Sequence, residues 1–223
     1  MNTQKLVIIG GEGNGGVIAS CIEDNRQRFG DHTYAVAGFV NDYLNPGTLL
    51  NGYKVLGGLK DLPSLLSQDY IFSWAIHMVG QGPLRKKLFE QTSIPDDRLA
   101  VVVHNSSFVA SNAKLDPGAF VMSNSYIGPM AHIGKCSLVM ANNIIGHNTK
   151  IGPLCHFSAG AITSSYVSIG TASDICLGSR VIEKVRMGDF SVAGASSLVL
   201  KDVPSKEVHV GIPAKFSRFI TES

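Results

Sequence analysis

Residues 125–152 read SYIGPMAHIGKCSLVMANNIIGHNTKIG, and within them Ile127, Ile133, Val139, Ile145 and Ile151 fall six apart. The small residues Ser125, Ala131, Ser137, Asn143 and Thr149 keep the same step, each two places ahead of an aliphatic one. Both registers continue in each direction. Upstream the aliphatic series is Val103, Val109, Leu115 and Val121; downstream it runs Phe157, Thr163, Ile169, Ile175, Val181, Met187, Ala193 and Val199. Seventeen positions follow without an insertion, and only Thr163 is polar. Residues two apart on a strand point to one side, so each hexapeptide is a short strand with two inward side chains, followed by a corner. Glycines directly after the aliphatic residue, such as Gly128, Gly134 and Gly146, are expected to relieve the backbone at the corners. Three such units close a triangular turn of eighteen residues, and the array predicts a parallel β-helix of five to six turns. An amphipathic helix needs apolar spacings of three and four, which this stretch lacks.

The segment before the array has another grammar. Lys5–Ile9 reads as a buried strand, residues 10–16 form a glycine-rich turn, and Val17–Phe29 reads as a helix. Tyr34–Val40 and Tyr70–Ile76 read as strands, and Leu59–Leu66 and Leu84–Gln91 as helices. Alternating strands and helices predict a small parallel α/β domain over residues 1–100, half of a Rossmann-like fold, with the β-helix and a closing segment over residues 101–223. Gly11, Gly13 and Gly16 match GxGxxG between strand and helix, where backbone N–H groups could cradle a phosphate. The space suits a sugar nucleotide better than a dinucleotide. Asp42 is a possible acceptor for a ribose or base, or equally a solvated turn residue.

Composition bounds the function. With 19 Lys and Arg against 17 Asp and Glu, a net charge of +2 and no basic run, nothing points to nucleic acid. No apolar stretch is long enough to span a membrane, no secretory signal precedes the first strand, and Cys21, Cys136, Cys155 and Cys176 form no CxxC pair. The expectation is a cytoplasmic protein without a metal. Among histidines, His147 follows Ile145 by two and should face out at a corner, while His132 and His156 stand between inward slots and should point out from flat faces. His32, His77, His104, His132 and His209 read as surface residues without a role. Cys155 occupies a small inward slot and is not expected to be a nucleophile.

The hexapeptide array, the α/β domain before it and the ending VHVGIPAK at 208–215 resemble bacterial sugar O- and N-acyltransferases of the left-handed β-helix superfamily. Within it the chain is most similar to enzymes that acetylate UDP-linked 4-amino sugars, perosamine-type nucleotides and sialic acid. The resemblance implies a left-handed coil, a homotrimer, and acetyl-CoA lying between adjacent subunits. It implies His147 as general base, in the segment IIGHNTKIG at 144–152, and His156 beside the CoA thioester. Leu177, Gly194 and Ala195 match the neighbourhoods that contact CoA. Glu12, Gly13 and Asn14, with Asn41 and Asp42, match those that hold the nucleotide-linked amino sugar. Two departures stand out: Asn148 replaces the acidic residue that raises the basicity of the histidine, and Asn14 stands where relatives often carry a histidine. The implied chemistry is direct attack of an amine on acetyl-CoA. The competing readings are a sugar O-acetyltransferase of the sialic acid type, a trimeric binding module without catalysis, and a zinc hydratase.

Overall fold

The computed structural model describes residues 3–221. The N-terminal elements are β1 (Gln4–Ile9), α1 (Glu12–Phe29), β2 (Tyr34–Val40), β3 (Leu49–Leu50), β4 (Tyr53–Gly57), α2 (Leu62–Leu66), β5 (Tyr70–Trp74) and α3 (Gly82–Thr92). They build one sheet in the order β3-β4-β2-β1-β5, parallel except for the β3–β4 hairpin. Leu6, Val7, Ile8 and Ile9 are all completely buried, as a central parallel strand covered on both faces must be. Strand β1 lies between β2 and β5, so the sheet reverses its order there, which opens a crevice at the carboxyl ends of these strands.

Several expectations about this part are corrected. The helix starts at Glu12 rather than Val17, so most of the glycine-rich stretch is helical. The glycines serve close packing instead: a Cβ on Gly15 would lie 2.9 Å from the Phe39 ring, and one on Gly16 would lie 2.7 Å from the Asn51 amide. The hairpin β3–β4 was missed although Asn51-Gly52 marks it; both residues have positive φ, 49° and 83°, as a type I′ turn demands. The expected helix at Leu59–Leu66 is a 3₁₀ turn at Leu59–Asp61 leading into α2, and the strand from Tyr70 ends at Trp74.

From β6 (Val102–Val103) to β22 (Leu198–Val199), seventeen two-residue strands recur every sixth residue. Each pairs in parallel with the strand eighteen residues away, for example Leu138 with Phe120 and His156, and Ile127 with Ile145. The result is the left-handed β-helix expected, with three flat faces; β23 (Glu207–Val210) and an antiparallel β24 (Lys215–Phe219) close the last coil. Ile127, Ile133, Val139, Ile145, Phe157 and Ile175 fill the interior without exposure. The small inward residues have a second task. Ser137 Oγ donates to the Gly152 carbonyl at 2.9 Å and accepts the Cys155 N–H at 3.0 Å, and Ser125, Thr149 and Ser173 donate likewise to the carbonyl fifteen residues on. A hydroxyl here satisfies corner backbone that water cannot reach.

The corner glycines also act differently from expectation. Those that follow the aliphatic residue lack positive φ, which falls mostly on non-glycine residues such as Cys136 (52°), Asn148 (59°) and Leu154 (61°), whose N–H groups donate to carbonyls of the preceding coil. Gly134 lies two residues earlier, where a Cβ would sit 2.4 Å from the backbone of Gly152. It permits coils to approach, and does not supply an unusual dihedral.

The outward slots give each face its own chemistry. The first face carries Val102, Phe120, Leu138, His156, Asp174 and Val192, all buried, several of them in a core shared with Leu6, Ile8 and Phe39 of the N-terminal sheet. The second carries Phe108, Tyr126 and Ile144, which are exposed, along with Ile162, Arg180 and Leu198. The third is polar, with Lys114, His132, Lys150, Ser168 and Arg186.

Replacing Gly134 with Ala should lower stability by about 1–3 kcal/mol, because the methyl group meets backbone of the next coil. Gly160→Asn should change it by less than about 0.5 kcal/mol, since Gly160 has φ +69° and open space around it. Denaturant melts of the two variants check the contrast.

Candidate functional site

A cavity of about 580 Å³ opens at the carboxyl ends of β1, β2 and β5. Gly10, Gly11, Gly13 and Asn14 line it from the start of α1; Asn41, Asp42 and Tyr43 from the end of β2; and Ala75, Ile76, His77 and Met78 from the end of β5. Four of the five expected sugar-nucleotide residues thus meet in one place: Gly13, Asn14, Asn41 and Asp42. Glu12 is exposed and does not line the cavity; its carbonyl accepts the Asn51 side-chain amide. The amino end of an eighteen-residue helix faces the cavity, an arrangement suited to an anionic diphosphate. The polar side chains are fixed by the framework. Asn14 Nδ2 donates to the His77 carbonyl at 3.1 Å, and Asn41 Nδ2 donates to the Gly10 carbonyl at 3.1 Å. Asp42 Oδ1 accepts the Leu59 N–H at 2.7 Å, so this residue also caps the 3₁₀ turn.

His147 stands at the corner between the second and third faces, between β13 (Ile144–Ile145) and β14 (Lys150–Ile151), exposed as expected. Its Nδ1 lies 3.0 Å from Asn148 Oδ1, and its ring meets Tyr166 edge-on at 5.2 Å. The side-chain carbonyl of Asn148 accepts Nδ1–H, which leaves Nε2 as the lone-pair nitrogen. Leu177, 60% exposed, and Ala195 stack one coil apart at the corner between the first and second faces, and the Ser196 N–H donates to the Leu177 carbonyl at 2.7 Å. Gly194 packs under the closing strand, where a Cβ would lie 2.6 Å from Val210.

His156 points out from the first face, as the period requires, but the N-terminal domain covers it to 7% exposure. Its Nδ1 is buried without a hydrogen bond, and its ring lies 5.7 Å from that of His77. Burial, helped by the positive Arg85, lowers the pKa of His156 to about 4. Burial likewise holds His77 well below the usual histidine range, with Arg85 and His156 adding to the effect. His77 and His104 are therefore not surface histidines: both are buried, and His104 bridges Ser106 and Asp24 at 2.8 Å each. Cys155 is inert as expected, its thiol pushed up to about 12 by burial. Sequence reading also missed Arg85, completely buried, whose Nη2 lies 2.7 Å from Asp174 Oδ1. Asp174 had left one signal: it is the acidic member of the outward series on the first face, eighteen residues after His156. Burial raises its pKa, and Arg85 and the Gly80 N–H offset part of that.

A single chain does not bring these parts together. The cavity belongs to the domain packed on the first face, and His147 occupies the corner opposite that face.

Residues 5–92 match the model of the PglD N-terminal domain family. Perosamine N-acetyltransferase from Caulobacter crescentus, in complex with CoA and GDP-perosamine, is 27% identical over 97% of this chain and 98% of its own, with a TM-score of 0.83. The acetyltransferase domain of PglB from Neisseria gonorrhoeae, in complex with acetyl coenzyme A, is 26% identical over 97% and 100%, with a TM-score of 0.82. Over nearly its whole length the chain is thus similar to two acetyltransferases, and its first part matches the PglD N-terminal domain family. WeeI from Acinetobacter baumannii shares the fold at 22% identity and a TM-score of 0.61. No curated protein sequence matches. No three His, Cys, Asp or Glu side chains among the described residues form a group that could hold a metal ion. No helix among them is long and apolar enough to cross a membrane.

The buried neutral His156 should make stability depend on pH. An unfolded histidine binds a proton near pH 6.5 and the folded one only near 4, so stability is full above pH 6.5 and falls as pH drops through this window. Between pH 7 and 5 the loss from His156 should be on the order of 2 kcal/mol. Thermal melts of His156→Gln should show a shallower pH slope than the parent.

Proposed function

We propose that the chain transfers an acetyl group from acetyl-CoA to the amino group of a nucleotide-linked sugar. The observation that carries this reading is the whole-length likeness to two acetyltransferases, one holding CoA with GDP-perosamine and one holding acetyl coenzyme A, combined with a cavity of about 580 Å³ at the switch point of the sheet. A nucleotide sugar would place its diphosphate at the amino end of α1, near Gly13 and Asn14, and its nucleoside toward Asn41 and Asp42. His156, Leu177, Gly194 and Ala195 would flank acetyl-CoA along the corner between the first and second faces. On this reading the chain would work in the cytoplasm, where acetyl-CoA is supplied.

His147 is the general base of this reading. The amine attacks the thioester carbonyl, its proton passes to Nε2 of His147, and the tetrahedral intermediate collapses with loss of the CoA thiolate, which takes that proton. Asn148 holds the tautomer but adds no negative charge, so the imidazole is a weaker base than one paired with a carboxylate. An amine needs less help than a hydroxyl, which favours N- over O-acetylation. Two of the Caulobacter structures carry a histidine replaced by Asn or Ala, in keeping with a histidine at the centre of that enzyme.

The assembly we propose is a homotrimer. The exposed second face presents Phe108, stacked on Tyr126 at 5.2 Å, and Ile144, a continuous apolar strip on a soluble-type coil. Turning this face of three copies toward a common axis buries the strip. It also brings the His147 corner of one chain against the Leu177 and Ala195 corner of the next, which completes the site.

Release of CoA thiol on mixing acetyl-CoA with GDP- or UDP-linked 4-amino sugars tests the reaction. Binding of acetyl-CoA without any thiol release would leave a binding module. His147→Ala should cut kcat by about 10²–10⁴-fold with acetyl-CoA binding retained. Asn148→Asp should raise the basicity of His147 and move the acid limb of kcat/KM to higher pH. Ile144→Arg should give smaller particles by sedimentation and lose turnover together with assembly.

A further inference from the structure

The segment after β5 forms one wall of the cavity and is tied down from the other domain. Asp174, 1% exposed on β18 (Asp174–Ile175) of the coil, accepts the Gly80 N–H with Oδ2 at 2.8 Å and Arg85 Nη2 with Oδ1 at 2.7 Å. Arg85 in turn spreads its donors over both sides of the junction. Nη1 donates to His77 Nδ1 at 3.1 Å and to the Leu154 carbonyl at 3.0 Å, and Nη2 approaches the Met78 and Ala172 carbonyls at 3.4 and 3.5 Å. Because a guanidinium only donates, His77 must present a lone pair at Nδ1 and stay neutral. One carboxylate of the coil thus fixes both ends of the 77–80 loop, whose residues His77 and Met78 line the cavity. The same carboxylate is paired in register with His156 on the adjacent strand.

We propose that Asp174 is a positioning residue for the acceptor sugar. Through Arg85 and Gly80 it holds the 77–80 wall of the cavity at a fixed offset from the strand that bears His156, where the acyl donor is to lie. The proposal rests on the sugar-nucleotide reading of the cavity given above. It assigns the ion pair a role in relative placement of the two substrates, beyond joining two domains. A buried pair that served stability alone could be exchanged for apolar residues with little loss.

Asp174→Asn is the first variant. Its KM for the amino-sugar nucleotide should rise about tenfold or more, with KM for acetyl-CoA within about twofold of the parent, since only the acceptor wall is released. Amide exchange should quicken in residues 76–84 and not in the coil. Should Asp174→Asn fail to fold, the double variant Arg85→Met with Asp174→Leu removes both charges together and still lacks the acceptor for Gly80; it should show the same selective rise. Equal KM values and equal exchange in either folded variant would overturn the proposal. So would a parallel loss in both substrates with faster exchange throughout, which marks a merely structural pair. If the parent chain shows no transfer at all, the functional reading falls, and the proposal is then decided with GDP and UDP alone. Protection of residues 76–84 by nucleotide in the parent and not in the variant supports it; no difference between them overturns it.

Discussion

Each coil must return its side chains to the same axis after eighteen residues, and everything else in the molecule follows from that repeat. Inward slots are mostly aliphatic or small, since they face a closed interior, and hydroxyls among them satisfy corner carbonyls such as Gly152. That leaves one outward side chain per strand, and the vertical stacking collects these into three faces of differing character. One is sealed by the α/β domain, one is apolar and bare, and one is charged. The corners at each end of the bare face hold His147 and the Leu177–Ala195 pair. The repeat therefore sets His147 apart from the pocket within one chain, and on the proposed reading a second chain reunites them.

The junction between the two domains adds a second constraint. Burying Arg85 and Asp174 together costs solvation that a single ion pair repays only with good geometry and further hydrogen bonds. Here the guanidinium reaches the coil carbonyl of Leu154 as well as Asp174, and Asp174 also takes the Gly80 N–H. Two neighbouring histidines, His77 and His156, stay neutral because burial excludes water, with the positive Arg85 adding to the effect. The charge balance of the junction is thus set by one acid and one base, with two neutral imidazoles packed beside them.

The coil was legible because its grammar is local and repeated: Ile127, Ile133, Val139 and Ile145 each announce the same strand. His147 could be placed at a corner by counting alone. The α/β domain was legible as alternation, but its details were not. The hairpin at Asn51-Gly52 carried a recognisable turn signal that was passed over, and the early start of α1 was hidden because glycines read as a loop when their close neighbours, Phe39 and Asn51, are unknown. The burial of His77, His104 and His156 was not legible from spacing. An outward slot says which way a side chain points, and only the packing of a distant domain decides whether water reaches it. Arg85 was hidden for the same reason, since its partner Asp174 is 89 residues away.

Subunit complementation tests the division of the site most directly. One chain carries His147→Ala. The other carries Gly13→Trp, which fills the cavity from a position where the backbone leaves open space. Each homotrimer should be inactive, and co-refolding equal amounts should restore about a quarter of the parent turnover, the share of sites that pair an intact pocket with an intact histidine from its neighbour. No recovery in mixed particles of confirmed composition would contradict the account, because base and pocket would then have to come from one chain.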